Sequence, residues 1–380
     1  MLYRWIRPVL WRLDAETAHL LAVALLRLIG AFAPLGWLLR RTCFRAAFDK
    51  RLEYELLGKR VLNPIGLAAG FDKNGEAIRG LQSLGFGFVE AGTVTPLGQP
   101  GNPRPRIFRL PKDEALINRL GFNNLGAAAL RKRLSRGHVG VVGVNIGKNK
   151  DTPADEAGAD YAQVFAEVAG VADYIVVNIS SPNTPGLRRL QASDALRPLL
   201  ERLLTLRAEG SAPSVPLLIK VAPDLSDEDF DEILTLALDL KLDGLVLANT
   251  TIAREELATP RAEVAEAGQG GLSGPPLRQR SLALLRRAAQ RVQGRMVLIS
   301  VGGIADADDV WQRLEAGADG IQLYTSLIYR GPGLPAKLSA GLMARLAAGG
   351  YASFSDYLTC RAERVAARSR LGSRPPAAAS

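Results

Sequence analysis

Eight short β-rich runs alternate with amphipathic segments, and this alternation constrains the fold more than any other feature of the sequence. Most of the runs are continuously apolar, as expected for parallel strands that helices cover on both faces. Eight β/α units over about 270 residues predict an α/β fold, a (β/α)8 TIM barrel rather than a doubly wound sheet. The runs are Leu62–Gly70, Phe86–Pro96, Val139–Asn149, Tyr174–Asn183, Val215–Asp224, Leu242–Thr251, Met296–Ile304 and Ala318–Tyr329.

Each run ends in polar or glycine-rich sequence. In a barrel of this type, the C-terminal strand ends and the loops after them build the active site. One polar strand end carries little information, but eight together predict an active site. The ends are Gly70-Phe71-Asp72-Lys73, Gly92-Thr93, Asn145, Asn178 with Ser181, Lys220, Asn249-Thr250, Gly302-Gly303 and Tyr324-Thr325.

The fourth run continues into the most informative loop, Val-Asn-Ile-Ser-Ser-Pro-Asn-Thr-Pro-Gly at residues 177–186. Packing does not require two Asn and two Ser at a strand end, and Pro182 and Pro185 restrict the backbone. A rigid polar loop of this kind can present hydrogen bonds to a small planar ligand. The alternative is a simple Asx or Ser turn.

Lys220 lies inside the apolar run Leu-Leu-Ile-Lys-Val. A buried ammonium group is costly unless it meets an anion or a hydrogen-bond acceptor. Three interpretations remain open: a Schiff-base lysine, a cation that stabilises a reduced flavin, and a lysine that extends to the strand end.

The last two runs carry glycines where barrels commonly bind phosphate through backbone N–H groups. Gly302-Gly303 follows the seventh run and Tyr324-Thr325 ends the eighth, so a flavin mononucleotide phosphate would fit there. No Gly-x-Gly-x-x-Gly fingerprint opens any β/α unit, which disfavours a nicotinamide cofactor.

A further polar island spans residues 118–124, Asn-Arg-Leu-Gly-Phe-Asn-Asn. It would bring amides and a cation over a small anionic ligand. A helix-capping turn explains Asn123 and Asn124 nearly as well.

Charge and residue counts exclude several classes of function. The net charge of +10 lies at the two ends, +6 in residues 1–60 and +4 in residues 361–380, so the barrel region is neutral. A nucleic-acid binder would be basic over its binding domain, whereas basic ends favour an anionic lipid surface. Two His and two distant Cys favour neither a metal centre nor a disulfide framework.

The first 45 residues differ from the rest. Leu2–Leu13 mixes Trp and Leu with Arg, and Asp14 can cap a second helix that ends near Gly30. The apolar stretches are too short for a membrane span, which needs about 20 residues. We therefore expect an amphipathic helical hairpin at a membrane surface; a helix pair that covers the bottom of the barrel is the alternative. The predicted organisation is a membrane segment at 1–45, a barrel at 46–345 and an extension at 346–380, whose basic tail (361–380) is predicted to be disordered.

Taken in order, these motifs resemble the quinone-linked, membrane-associated (class 2) dihydroorotate dehydrogenases. The resemblance covers about residues 1–340. The residues that carry it are Gly66–Lys73, Gly92–Pro96, Asn118–Asn124, Asn145–Asn149, Asn178–Gly186, Lys220–Asp224, Asn249–Thr251, Gly270–Gly274 and Val301–Ile304.

The resemblance implies oxidation of dihydroorotate to orotate in pyrimidine (UMP) synthesis. Flavin mononucleotide (FMN) would accept the hydride from carbon 6, and a membrane quinone would take the electrons. Ser181 would remove the proton from carbon 5. Other branches of the family carry Cys at this position, so Ser favours the quinone-linked branch. A serine hydroxyl is a weak base, so we expect a proton relay that includes Thr184.

The resemblance also implies roles for further residues. His19 and Arg106 would line a quinone tunnel. Ala248 stands where Thr is common and Ser300 where Gly is common, which puts their side-chain contacts in doubt. The substrate would contact Lys73, Asn118, Arg119, Leu120, Gly121, Phe122, Asn178, Asn183, Asn249 and Thr250. The flavin would contact Ala69, Gly70, Phe71, Asp72, Lys73, Thr93, Asn145, Asn178, Lys220, Ala248, Gly271, Ser300, Gly302, Gly303, Tyr324 and Thr325.

For the whole molecule, we expect a monomer bound peripherally to the cytoplasmic face of a bacterial inner membrane, with no metal and no nucleic-acid partner. A soluble relative that reduces fumarate or NAD, a Schiff-base aldolase and a non-catalytic lipid-binding barrel are the alternatives.

Overall fold

The computed structural model describes residues 2–184, 186–210, 212 and 214–372. The strands in this part of the chain are β1 Tyr54–Leu56, β2 Lys59–Val61, β3 Ile65–Leu67, β4 Phe88–Val94, β5 Leu97–Gln99, β6 Ile107–Leu110, β7 Ala115–Asn118, β8 Asn124–Gly126, β9 Val141–Ile146, β10 Tyr174–Asn178, β11 Leu217–Lys220, β12 Gly244–Leu247, β13 Gly271–Ser273, β14 Val297–Val301 and β15 Gly320–Leu323.

The α-helices of the described residues are α1 Leu2–Leu10, α2 Ala15–Ala31, α3 Ala33–Arg41, α4 Ile78–Ser83, α5 Ala127–Leu134, α6 Ala157–Val168, α7 Ser193–Glu209, α8 Asp227–Asp239, α9 Arg261–Ala267, α10 Arg278–Val292, α11 Ala307–Glu315, α12 Thr325–Arg330, α13 Leu334–Ala348 and α14 Phe354–Gly372. Short 3-10 helices lie at Arg45–Phe48, Lys50–Leu52, Pro111–Asp113, Leu187–Gln191 and Pro275–Leu277.

Eight parallel strands close into a barrel within the described residues, which confirms the predicted (β/α)8 fold. They follow one another in chain order as β3, β4, β9, β10, β11, β12, β14 and β15, and β15 pairs with β3 through Ile321 and Ile65. Each of the eight predicted runs contains one of these strands. All residues of β4 and β9 are buried, because the helices cover the outside of the barrel and side chains fill its interior.

The β1–β2 hairpin lies at the N-terminal end of the barrel. Tyr54 Oη donates a hydrogen bond of 2.7 Å to the carbonyl of Asp319, directly before β15. Two further small sheets form in the segments that follow barrel strands: a two-stranded sheet of β5 and β8, and a three-stranded sheet in the order β13, β7 and β6. They lie at the opposite end of the barrel, where the predicted site residues are.

The N-terminal segment forms three helices rather than the predicted two. Asp14 caps α2, as predicted, because its carboxylate accepts hydrogen bonds from the backbone N–H groups of Glu16 and Thr17. Helix α2 packs on α4 so closely that a Cβ at Gly80 would lie 2.0 Å from the carbonyl oxygen of Leu26. The segment therefore lies beside the barrel near its C-terminal end, which contradicts the alternative of a helix pair at the bottom.

The three helices expose much apolar surface. Twelve of the seventeen exposed large apolar side chains of the described residues lie between Trp5 and Leu38, with Trp5 79% and Trp37 58% exposed. Within the same residues no single helix is long and apolar enough to cross a membrane. Helices α2 and α3 taken together are long and apolar enough by length and composition, but the chain bends by 98° between them.

The C-terminal region departs from the prediction. Helix α13 continues through the boundary placed at residue 345, and α14 extends to Gly372. The prediction of disorder is therefore wrong for residues 361–372, since Arg and Ala are good helix formers even without an apolar face. Residues 373–380 lie outside the described residues.

Candidate active site

A cavity opens among the C-terminal strand ends of the barrel and holds about 1230 Å³, including the part open to solvent. It brings together most of the predicted site residues, from seven of the eight β/α units; Asn145 at the end of β9 does not line it. The predicted residues that line it are Ala69, Gly70, Lys73, Thr93, Asn118, Leu120, Gly121, Phe122, Asn178, Ser181, Asn183, Lys220, Ala248, Asn249, Thr250, Gly302, Gly303, Tyr324 and Thr325.

Asn178 organises an amide cluster at the end of β10. Its Nδ2 donates to Thr93 Oγ1 at 2.9 Å and to Asn145 Oδ1 at 3.1 Å. Its Oδ1 accepts from Ser180 Oγ at 2.9 Å, and Asn249 Nδ2 donates to the same hydroxyl at 2.8 Å. These bonds connect the ends of four barrel strands, β4, β9, β10 and β12, so the amides have defined orientations before any ligand binds.

The loop after β10 places a hydroxyl at the cavity wall. Ser181 is buried, and its Oγ accepts a hydrogen bond of 3.2 Å from the backbone N–H of Asn183. Asn183 Nδ2 reaches across the cavity to Asn118 Oδ1 at 3.2 Å. The buried Thr184 Oγ1 has no hydrogen-bond partner among the described residues. Ser181 thus keeps its own proton available, with a second unpaired hydroxyl in the same loop.

Lys220 ends β11 with its side chain buried at the cavity wall. Burial lowers the pKa of Lys220, and the nearby Glu90 carboxylate opposes this effect. Glu90 accepts hydrogen bonds from Asn145 Nδ2 at 2.8 Å and Gln322 Nε2 at 2.6 Å. No side chain of the described residues hydrogen-bonds the ammonium group of Lys220. Because the Lys220 side chain is only 5% exposed, its ammonium group does not reach solvent at the strand end, and the interpretation of a lysine that extends to the strand end for solvation is contradicted.

Gly302 and Gly303 turn the chain at the end of β14, with φ of 117° and 72°. Side chains would not fit here: a Cβ on Gly303 would lie 2.6 Å from Arg278 Cα. Tyr324 and Thr325 lie next to this turn, where β15 ends and α12 begins. The two strand ends form a glycine-lined recess of the kind that binds phosphate through backbone N–H groups.

A second cavity, of about 520 Å³ with its solvent-open part, lies between α2 and the barrel. It shares Gly70, Lys73 and Tyr324, among others, with the first cavity, and His19 lies on its α2 side. Burial and, to a smaller extent, the charge of Lys73 lower the pKa of His19 to about 4, so the imidazole is neutral at pH 7. The two cavities therefore connect the strand ends with the N-terminal helices.

Lys73 stands at this junction. Its Nζ donates to Asn123 Oδ1 at 2.6 Å. Burial lowers its pKa to about 7; Arg106 contributes to the decrease and Glu16 opposes it. Arg106 binds Glu16 through two hydrogen bonds, of 3.0 and 2.7 Å, so an ion pair joins α2 to the loop before β6.

Comparisons with known proteins agree with this geometry. The family model for dihydroorotate dehydrogenase matches residues 51–346. The chain belongs to the dihydroorotate dehydrogenase family. It is 48% identical over 363 residues to a dihydroorotate dehydrogenase (quinone) from Thermobifida fusca, a match that covers 94% of this chain and 96% of the relative. It is 49% identical over 356 residues to the Mycobacterium tuberculosis H37Rv protein of the same name, covering 93% and 97%.

The fold is also shared with a solved member of the family. The structure of Eimeria tenella DHODH in complex with ferulenol matches with a TM-score of 0.78 and 37% identity, covering 90% of this chain and 94% of that one. The resemblance predicted from the ordered motifs is therefore confirmed, and with it the assignment of the chain as an enzyme of this family.

Some residues predicted to bind ligands lie outside the dihydroorotate dehydrogenase cavity. The Arg119 guanidinium turns away from it and lies over the Phe108 ring at 4.6 Å. The Asp72 carboxylate accepts from the backbone N–H groups of Glu76 and Ala77, and so supports the turn after β3. The side chain of Ser300 faces Arg313 at 3.3 Å. Phe71 lines the second cavity instead, and Gly271 packs against Thr250.

Three residues at the two cavities were not predicted from the sequence. Glu90 and Gln322 lie buried beneath Lys220 and join the amide cluster to the last strand. Glu90 lies inside the apolar run Phe88-Val89-Glu90-Ala91, and burying its carboxylate is as costly as burying the ammonium group of Lys220. A charged residue within an apolar run was therefore the signal that could have identified Glu90. Gln322 and Glu16, which lies on α2, carry no comparable signal in the sequence.

Proposed function

We propose that this protein oxidises dihydroorotate to orotate in pyrimidine nucleotide synthesis, with FMN as the hydride acceptor and a membrane quinone as the final electron acceptor. The observation that carries the proposal is one cavity that holds three groups together: the Asn178 amide cluster, the Ser181 hydroxyl and the buried Lys220 ammonium. Planar ring recognition, proton removal and stabilisation of negative charge each need one of these groups.

The residues fit FMN on two observations. The buried Lys220 ammonium has no hydrogen-bond acceptor among the described residues, as expected if an anionic group completes its environment. The recess at Gly302 and Gly303 excludes any Cβ and suits a phosphate. FMN would supply hydride acceptance from carbon 6 and electron transfer to quinone. Thr93, Asn145, Lys220 and the glycine turn would hold it.

Substrate recognition is assigned to the amides around Ser181. Asn118, Asn178, Asn183 and Asn249 offer donors and acceptors that match the edges of a pyrimidine ring. Lys73 would bind the carboxylate, and burial strengthens this pairing because little water screens it.

Ser181 would take the proton from carbon 5. The carbon–hydrogen bond breaks, its proton moves to Ser181 Oγ, and the hydroxyl's own proton leaves to a neighbouring acceptor. The unpaired Thr184 Oγ1 supports a relay in this loop, because a buried hydroxyl without a partner is free to accept a proton or bind a water molecule.

The quinone would approach through the second cavity. It connects the barrel cavity at Gly70 and Tyr324 to His19 on α2, and the same helices expose apolar side chains and Arg residues suited to an anionic lipid surface. Arg106 would position Glu16 and Lys73 rather than line the cavity, since its own guanidinium is bound to Glu16 and to backbone carbonyls. We propose peripheral attachment of a monomer to the cytoplasmic face of a bacterial inner membrane.

The test is anaerobic addition of dihydroorotate to the purified protein. A yellow protein whose absorbance near the visible flavin band falls on mixing would support the proposal. A colourless protein that borohydride and a carbonyl substrate inactivate at Lys220 would instead support a Schiff-base aldolase. Oxidation of the reduced flavin by fumarate or NAD+ at a rate above that of its oxidation by quinone would favour the soluble branch of the family.

A further inference from the structure

Arg313 is a buried arginine that the proposed reaction does not use. It lies on α11 beneath the end of β14, with a fully buried side chain. Burial lowers its pKa to about 10, so the guanidinium remains charged at neutral pH. A buried charge persists only where it is hydrogen-bonded or paired, so its contacts indicate what it does.

The contacts of Arg313 converge on the glycine turn. Its Nη2 donates to the carbonyl oxygen of Gly302 at 2.9 Å, and lies within reach of Arg278 O at 2.7 Å and Ser281 Oγ at 2.9 Å. Ser281 Oγ lies 3.0 Å from the same Gly302 oxygen. Arg313 and Ser281 therefore lie on the same side of this carbonyl group.

A trans peptide unit places its C=O and N–H on opposite sides. Because Gly302 O is held from beneath, the N–H of Gly303 in the same peptide faces the other way, and Gly303 lines the cavity. This N–H has no acceptor among the described residues. A charged donor on the carbonyl also polarises the peptide and strengthens its N–H as a donor.

The rest of the turn is held by neighbours of Arg313. Arg278 Nε donates to Gly303 O at 3.0 Å and pairs with Asp309 at 3.0 Å. Asp309 accepts from Ala305 N at 2.8 Å. The turn is thus bound on its outer side by a cluster of charged groups, while its cavity side keeps a free N–H.

We propose that Arg313 is a positioning residue for phosphate recognition: it holds the Gly302–Gly303 peptide so that the Gly303 N–H faces the phosphate of the bound cofactor. This inference rests on the proposed function, because it requires a phosphorylated flavin. It also gives Ser300 a role, since Ser300 Oγ lies 3.3 Å from Arg313 Nη1 and helps to orient the guanidinium rather than the cofactor.

Riboflavin, which lacks the phosphate, separates this role from general stabilisation of the barrel. The full-length protein is stripped of flavin and titrated with FMN and with riboflavin, and binding is followed by flavin fluorescence. Arg313→Met should raise the Kd for FMN about 30-fold and leave the Kd for riboflavin within about twofold. Ser281→Ala, a smaller change less prone to unfold the protein, should raise the Kd for FMN about fivefold.

Arg361→Met is the matched control. Arg361 donates to the carbonyl of Leu314, next to Arg313 in α11, and pairs with Asp319 at the other end of β15. It should change neither Kd. The inference is overturned if Arg313→Met and Ser281→Ala weaken both flavins equally, or neither. If the wild type binds no flavin, the proposed function itself fails; if it binds FMN and Arg313→Met keeps the FMN-to-riboflavin ratio, only this inference fails.

Discussion

The C-terminal end of the barrel buries polar side chains, whereas the N-terminal helices expose apolar ones. At the strand ends, polar groups are buried and hydrogen-bonded to one another, as Asn178, Thr93 and Asn145 show. On the helices, apolar side chains such as Trp5 and Trp37 face outward. Buried, mutually bonded polar groups suit an ordered reaction site, whereas exposed apolar groups need another surface to cover them.

The two regions meet through both α1 and α2. On α1, Tyr3 and Arg7 donate hydrogen bonds to backbone carbonyls of α12. On α2, Glu16 and His19 line the second cavity together with Lys73, and Glu16 pairs with Arg106. We infer that oxidation of the substrate depends on the barrel alone, and that access of the quinone and the membrane depends on the helices. Variants in the barrel and in the helices test this division of roles separately.

The largest effect is expected at Ser181. Ser181→Ala should slow flavin reduction by dihydroorotate about 1000-fold, because it removes the hydroxyl proposed to take the proton from carbon 5. Stopped-flow absorbance measures the rate of flavin reduction, and an unchanged flavin spectrum shows that the variant still binds the flavin. Thr184→Ala should slow flavin reduction less than Ser181→Ala does. Near-normal reduction in Ser181→Ala would remove this residue from the mechanism.

Lys220→Met should lower the rate of flavin reduction about 100-fold, since it removes the buried cation that stabilises developing negative charge. Lys148→Met is the matched control. Lys148 is also buried, but its ammonium binds the carbonyls of Asn149 and Thr152 and does not line the cavity. Equal losses in the two variants would indicate a general cost of removing a buried lysine.

Orotate binding should weaken with rising pH. The lysine at position 73 has its pKa lowered to about 7, so it is charged below pH 7 and loses its charge above it. An anionic ligand binds the charged form, and its Kd should therefore rise about tenfold per pH unit above 7 until the complex itself titrates. Lys73→Met should bind weakly at every pH with no such slope. A Kd that stays constant from pH 7 to 9 in the wild type would exclude this role.

The smallest effect is expected on the helices. Replacing Trp5 and Trp37 together by Ser should weaken binding to vesicles that contain anionic lipid about fivefold. Flavin reduction should not change. Val139, which is 52% exposed in the loop before β9, provides the control through Val139→Ser. Equal vesicle binding in all three proteins would show that another surface meets the lipid.

The barrel and most of its site could be predicted from local sequence. A buried parallel strand must be apolar, so Val141–Ile146 and Val297–Val301 are visible as runs, and polar residues after them stand out. The direction in which a side chain points at a strand end is harder to predict from local sequence. Arg119 and Ser300 were assigned to ligands, but the packing around Phe108 and Arg313 turns them away.

Helix ends show a similar limit. Helix α2 ends at Ala31, close to the predicted end near Gly30, but the third helix was not predicted; Pro34 occupies the first turn of α3, where proline is tolerated. The C-terminal helix lacks a strong apolar pattern, but it packs against β1, and its Ser355 and Arg361 donate hydrogen bonds to the carbonyls of Glu53 and of Leu314 in α11. The second cavity was only implied by the family resemblance, because it forms between segments far apart in the sequence.

Removal of residues 1–40 tests the division most directly. The shortened protein is compared with the full-length protein for two rates: flavin reduction by dihydroorotate, and turnover with a ubiquinone analogue. The account predicts that flavin reduction stays within about twofold while quinone turnover falls more than about tenfold. Retained flavin reduction also shows that the barrel is folded. Unchanged quinone turnover would contradict the account, because the quinone would then reach the barrel without the helices.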